Sequence, residues 1–275
     1  MKTNKTFKLG NFEINRLGFG TMRATTGAGI WGDTQDKTKA IKVIQAAIEK
    51  GVNFVDTADS YGPYTSELLV AEAITPFKDQ VMVATKGGAV KYKPGAVMSN
   101  GHPYYLKVAA EGSLKRLDRE IIDMYFLHRV DPNIPIEESV GALADLQKEG
   151  KIRHIGVSNV TVEQLKRAQS AAKIDAVQNA FNFQDRRYQE VVGYAGREGM
   201  TFIAHTPVAV NNWREDTLQN ITDLGLSPNQ LSLAWLINHG EHIIPIPGTS
   251  SVEHLIDNMK AQEVKPELLD QLKNA

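Results

Sequence analysis

The sequence predicts an α/β protein, a closed (β/α)8 TIM barrel with a short N-terminal β-hairpin capping its bottom. Three observations predict it. Eight short apolar runs alternate with eight stretches of helical period, which calls for a parallel sheet with covered faces. The 275 residues match the usual length of one such barrel. The first strand–helix turn, "GFGTMR", has Arg23 where the third glycine of a G-x-G-x-x-G nucleotide-binding turn belongs, which disfavours the rival doubly wound open sheet.

In chain order, "FKLGNFEINR" alternates apolar and polar residues on both sides of Gly10-Asn11, the pattern of a hairpin with a two-residue turn. The expected barrel strands are 16–20, 52–56, 81–86, 121–128, 152–158, 174–178, 200–205 and 242–248. The expected helices are 34–50, 65–74, 104–117, 137–149, 161–172, 187–198, 228–239 and 251–261. "TKAIKVIQAAIEKG" puts Ala40, Ile41, Ile44, Ala47 and Ile48 on one face and stops at Gly51. "KEGKIRHIGVSN" and "REGMTFIAH" repeat the helix–glycine–strand join. Loops 21–33, 87–103 and 206–226 are long, and each follows a strand C-terminus, the face where barrel enzymes keep their sites. With no linker or low-complexity stretch, residues 1–275 are expected to form a single domain.

Composition narrows the function. A net charge of −1, from 31 basic and 32 acidic residues, leaves no electrostatic footprint for nucleic acid. The basic residues are scattered, which argues against an anionic membrane surface. The chain has no cysteine, so disulfides, thiol nucleophiles and Cys-ligated zinc are excluded. "MKTNKTFKLG" lacks an apolar core of the signal-peptide kind, and no stretch approaches the length of a membrane span. A cytoplasmic monomer acting on a small molecule, without a metal, is expected.

The strand exits carry the chemistry. Asp56 ends the second strand in "NFVDTADSYG", with Tyr61 five residues on; Lys86 ends the third and His128 the fourth. Further round come Ser158-Asn159, Gln178, His205-Thr206 and Thr249-Ser250-Ser251. Taken singly, each is more often a solvated rim residue or a helix cap than a site residue. Four such groups on consecutive exits converge on one rim, however, and together read as functional. A phenol with its usual pKa near 10 is a weak acid at neutral pH. A neighbouring Lys86 ammonium is expected to lower it, with Asp56 keeping Lys86 charged and His128 holding a substrate oxygen. The set makes a proton donor for a carbonyl oxygen, and hydride from a nicotinamide is the natural source of the electron pair for the carbon.

These motifs resemble the aldo-keto reductases: "NFVDTADSYG" an Asp/Tyr signature, "VATKGG" a lysine strand, "YFLHRVD" a histidine strand and "IRHIGVSN" a Ser-Asn signature. The likeness runs from Leu9 to about Asn258. It implies Tyr61 as general acid/base, Lys86 and Asp56 as its tuning pair and His128 as the substrate-orienting residue. It implies NADP(H) as cofactor, with Gly20, Thr21, Met22 and Asp56 in its shell and Ser158, Asn159 and Gln178 on the nicotinamide carboxamide. His205 stands where many members have a ring-stacking tyrosine, and Thr206, Pro207 and Val208 open the pyrophosphate loop. The segment from Pro247 and Gly248 through Thr249, Ser250, Ser251 and His254 to Asp257 and Asn258 matches the grip on the adenosine 2′-phosphate and adenine. Many members have Lys and Arg where this chain has Gly248 and His254. A 2′-phosphate is still expected, since no ribose-binding acid follows the first strand.

Substrate preference should lie in the long loops, with Met22, Trp31, Tyr92 and Trp213 joining Tyr61 and His128 as pocket walls. "TMRATTGAGIWG" is similar to a loop of the bacterial pyridoxal reductase branch, which makes pyridoxal the candidate aldehyde. The tail "EVKPELLDQLKNA" reads as short and helical, which suggests an open site. Two rivals remain: a lyase forming a Schiff base on Lys86, and a non-catalytic NADP(H)-binding regulatory subunit on the same fold.

Overall fold

The computed structural model describes residues 6–10, 12–25, 31–208 and 215–271. Strands β1 (Thr6–Leu9) and β2 (Phe12–Asn15) pair antiparallel, with Leu9 opposite Phe12. That register leaves two residues for the turn, of which Gly10 adopts φ +60°. Eight parallel strands then follow in chain order: β3 (Phe19–Gly20), β4 (Phe54–Asp56), β5 (Met82–Gly87), β8 (Ile122–Leu127), β9 (Ile152–Ser158), β10 (Ala176–Ala180), β11 (Thr201–His205) and β12 (Ile243–Pro245). Gly18 N–H donates to Pro245 O at 3.0 Å and Gly20 N–H to Pro247 O at 3.1 Å, which joins the last strand to the first and closes the barrel.

Two layers of core hold it. Phe54, Met82, Met124, Phe126, Ala176, Ile203 and Ile244 fill the barrel axis, and Leu9 and Ile14 of the hairpin join them and plug the bottom. Alternate residues, among them Val55, Val83, Tyr125, Leu127, Val157 and Phe202, face outward onto the helices. Those helices are α1 (Lys37–Glu49), α2 (Thr65–Ile74), α3 (Pro103–Leu117), α4 (Ile136–Lys148), α5 (Val162–Ala171), α6 (Gln189–Arg197), α8 (Pro228–His239) and α9 (Val252–Met259). Three of these start at strong side-chain caps: Asp36 accepts from Lys39 N–H, and Thr161 and Ser227 form capping boxes with Gln164 and Gln230.

Three features differ from expectation. The loop 87–103 contains a second hairpin, β6 (Ala89–Lys93) with β7 (Ala96–Ser99). The loop 206–226 contains a helix, α7 (Glu215–Asp223). The first strand is only two residues long, and Arg16 just before it reaches carbonyls at the C-terminal end of α8. The tail after α9 forms the short helix α10 (Pro266–Gln271). No described helix is long and apolar enough to cross a membrane.

Candidate active site

Strand parity decides which side chains reach the mouth. Phe54, Met82 and Met124 point to the barrel axis, so counting by twos along each strand puts Asp56, Lys86 and His128 on the axis at the C-terminal ends. The same count from Ala176 and Ile203 delivers Gln178 and His205. Tyr61 arrives by another route. After β4, Thr57 N–H donates to Ala84 O, Asp59 N–H to Lys86 O and Tyr61 N–H to Ala58 O, a tight turn that folds the phenol back over Lys86.

Lys86 is the hub. It is fully buried, and its ammonium donates to Asp56 Oδ1 at 2.6 Å, Thr57 O at 2.7 Å and the Tyr61 hydroxyl at 3.4 Å. Burial works against its charge, but Asp56 and Tyr61 outweigh that and raise its pKa. A Schiff-base role needs a neutral amine, so this setting argues against the lyase reading. The expectation that Lys86 would bring Tyr61 below its usual pKa is overturned. Burial raises the phenol's pKa, and the downward pull of Lys86, itself opposed by Asp56, is smaller. Tyr61 is therefore held as the neutral phenol. The second Asp56 oxygen accepts from Gln178 Nε2 at 2.8 Å, so both carboxylate oxygens are fixed.

His128 faces Tyr61 edge-on, ring centroids 6.0 Å apart, and its Nδ1 lies 3.4 Å from Ser60 Oγ. Burial and the cations Lys86 and Arg129 push its pKa well below the usual value, so the imidazole is neutral. Asn159 sits at φ +59° and donates to His128 O and to Ser158 Oγ, while its Oδ1 lies 3.1 Å from His205 Nε2. Burial, with Lys86 nearby, lowers His205 to about 4, so it too is neutral.

Above this floor lies a cavity of about 650 Å³. Asp56, Tyr61 and His128 line it with the expected Ser158, Asn159, Gln178 and His205. Gly20, Met22 and Thr206 to Val208 continue the wall, and Pro247, Gly248, Thr249, His254 and Asn258 complete it. Other expected residues lie elsewhere. Thr21 is buried, its hydroxyl donating to Asp56 O. Ser251 caps α9, Asp257 accepts from Ser227 and Gln230, and Ser250 lines a neighbouring cavity. Trp31 bridges to Gly62 outside the lining. Tyr92 is not a wall of this cavity: in β6 the alternation turns Ala89 and Lys91 inward and leaves Tyr92 56% exposed. Trp213 lies outside the described residues. Sequence reasoning missed Arg23, Ser60, Lys91, Arg129 and Asn229, all of which line the cavity. The position of Arg129, next to a strand-exit histidine, was the one available signal.

Known proteins share this architecture. The aldo/keto reductase family model matches residues 16–273. An oxidoreductase of Schizosaccharomyces pombe is 39% identical over 263 residues, 94% of this chain and 85% of that one. Pyridoxine 4-dehydrogenase of Escherichia coli is 34% identical over 270 residues, covering 95% and 94% of the two chains. Among solved structures, a thermostable aldo-keto reductase bound to the inhibitor epalrestat superposes with a TM-score of 0.85 at 29% identity, over 98% of both chains. An aldo/keto reductase from Klebsiella pneumoniae in complex with NADP and acetate gives 0.81 at 26%, over 98% and 95%.

Proposed function

This chain belongs to the aldo/keto reductase family, and from that premise we propose that it reduces an aldehyde or ketone with NADPH, Tyr61 donating the proton. The observation that carries this reading is the contact of one buried ammonium, Lys86, with both Asp56 and the Tyr61 hydroxyl at the cavity floor. Burial keeps Tyr61 protonated and able to donate. When it gives up its proton, Lys86 is in place to stabilise the phenolate that remains. Ser60 Oγ lies 3.4 Å from His128 Nδ1, and in the tautomer that accepts from Ser60 there the neutral ring carries its proton on Nε2 and can donate to the same carbonyl oxygen.

The residues present fit a nicotinamide dinucleotide. When bound, NADPH supplies the hydride to the carbonyl carbon. Ser158, Asn159 and Gln178 line the cavity beside Tyr61, and Asn159 is held ready by Ser158, His128 and His205. At the other end the buried Asn258 has an Oδ1 with no partner among the described residues, an acceptor suited to a base amino group. The relative named for pyridoxine supports pyridoxal as a candidate substrate of this chain, which we take to act as a single-domain monomer.

The test is NADPH oxidation, followed by absorbance, against an aldehyde panel that includes pyridoxal. Wild type should turn over at least one member. Tyr61→Phe should lose about 100- to 10,000-fold in kcat while binding NADPH as before. Equal rates for the two proteins would reject Tyr61 as the donor. Tight binding without turnover of any aldehyde would favour the regulatory-subunit reading.

A further inference from the structure

At the adenosine end of the cavity, Gly248 stands where many family members carry a cation. A Cβ built there would lie 2.5 Å from the carbonyl oxygen of Gly20 and 3.6 Å from Arg23 Cγ. Gly20 and Pro247 are hydrogen-bonded at the seam that closes the barrel, so the backbone cannot give way cheaply. No side chain fits at 248, and the stem of Arg23 runs beside that space. Position 254 offers an imidazole in place of a permanent cation.

Arg23 has the reach to replace both. It lines the main cavity beside Gly248 and Thr249. It also lines an adjoining cavity of about 210 Å³ with Lys39, Thr34, Thr249 and Ser250. Arg23 and Lys39 are exposed, and no ion pair holds either among the described residues. The one carboxylate in this second cavity, Asp36, accepts the backbone N–H of Lys39 as the cap of α1. Asn258 is an independent marker of this end: it is 4% exposed, lines the main cavity and carries the unpartnered Oδ1.

We propose that Arg23, assisted by Lys39 and the hydroxyls of Thr249 and Ser250, binds the 2′-phosphate of NADP(H). The turn at Thr21–Ala24 and the start of α1 then select NADP(H) over NAD(H), in place of residues 248 and 254. A guanidinium matches a phosphate with two parallel hydrogen bonds, which a lysine cannot do. The inference rests on the cofactor reading above.

The experiment measures binding of NADP+, NAD+, 2′-AMP and 5′-AMP by calorimetry, with coupled rates for both reduced cofactors. Wild type should prefer NADP+ to NAD+ and 2′-AMP to 5′-AMP. Arg23→Ala should weaken NADP+ and 2′-AMP by about 10- to 100-fold and leave NAD+ within about twofold, the scale of a lost charge-assisted pair. Lys39→Ala should lose less, and Arg23→Lys should recover part of the affinity. An unchanged NADP+/NAD+ ratio in Arg23→Ala overturns the proposal. So does an equal loss in Lys42→Ala, which removes the same charge one turn further along α1. Wild type binding neither dinucleotide would instead overturn the cofactor reading, and the two failures are therefore distinguishable.

Discussion

Asp59 shows what a single residue can hide in a polar turn. In "DTADSYG" it reads as one more solvated acid, yet it is 3% exposed and its Oδ1 has no partner among the described residues. Burial, then the Glu67 carboxylate, raises its pKa to about 8, with Arg116 opposing. Folded Asp59 is thus protonated at neutral pH while the unfolded chain ionises near 3.8. The folded state binds the extra proton, so this group's contribution to stability falls as pH rises from about 4 to about 8 and then levels off. Asp59→Asn keeps the shape and removes the ionisation. Its advantage over wild type in urea midpoint should grow between pH 5 and 8, on the order of a few kcal/mol in total. Parallel stability profiles for the two proteins would show that Asp59 stays ionised. The acids, lysine and histidine at strand exits were legible because parity and position mark them. Asp59 was not, because its burial and the charges that act on it, Glu67 of α2 and Arg116 of α3, are brought together only by the fold.

Elements were legible in proportion to their periodicity. Each barrel strand shows as an apolar run and each of its helices as a longer apolar or amphipathic stretch, and their bounds agree with the structure within a few residues. The strands of the β6–β7 hairpin, five and four residues, are too short to show a period, and α7 has only Leu218 and Ile221 as apolar residues, so both segments look like loops in the sequence. That error also misplaced Tyr92, since only a recognised strand tells which of Lys91 and Tyr92 turns inward. Glycine inside a strand is the clearer clue. Gly156 of β9 holds an axis position where the Phe126 ring fills the place of its side chain: a Cβ there would lie 2.2 Å from Phe126 Cε1. Gly156→Ala should therefore overpack the axis and cost about 1–3 kcal/mol. The midpoint should fall without a change in the denaturant slope. A neutral effect would mean that Phe126 has a second rotamer free to accept the methyl.

The barrel as a whole depends on its two chain ends meeting, and Arg16 ties them. It is 1% exposed, and its Nη2 donates to Ile237 O and Gly240 O, each at 2.7 Å, while Nε reaches Ile243 O at 3.3 Å. The cation thus takes up the free carbonyls at the C-terminus of α8, where the helix dipole also favours it. Beside it, the two seam bonds from Gly18 and Gly20 join the first strand to the last. Neither half of the chain can satisfy its edge strands without the other, so the fold should form as one cooperative unit. Arg16→Ala removes three side-chain hydrogen bonds to backbone carbonyls and opens a buried void. About 3–5 kcal/mol should be lost, with the melting temperature down by roughly 6–15 °C and a single calorimetric transition retained. Two resolved transitions, in wild type or variant, would show that the halves fold separately and that residues 1–275 are more than one domain. A loss well under about 1 kcal/mol would mean that water replaces the guanidinium at no cost, and that the seam alone closes the barrel.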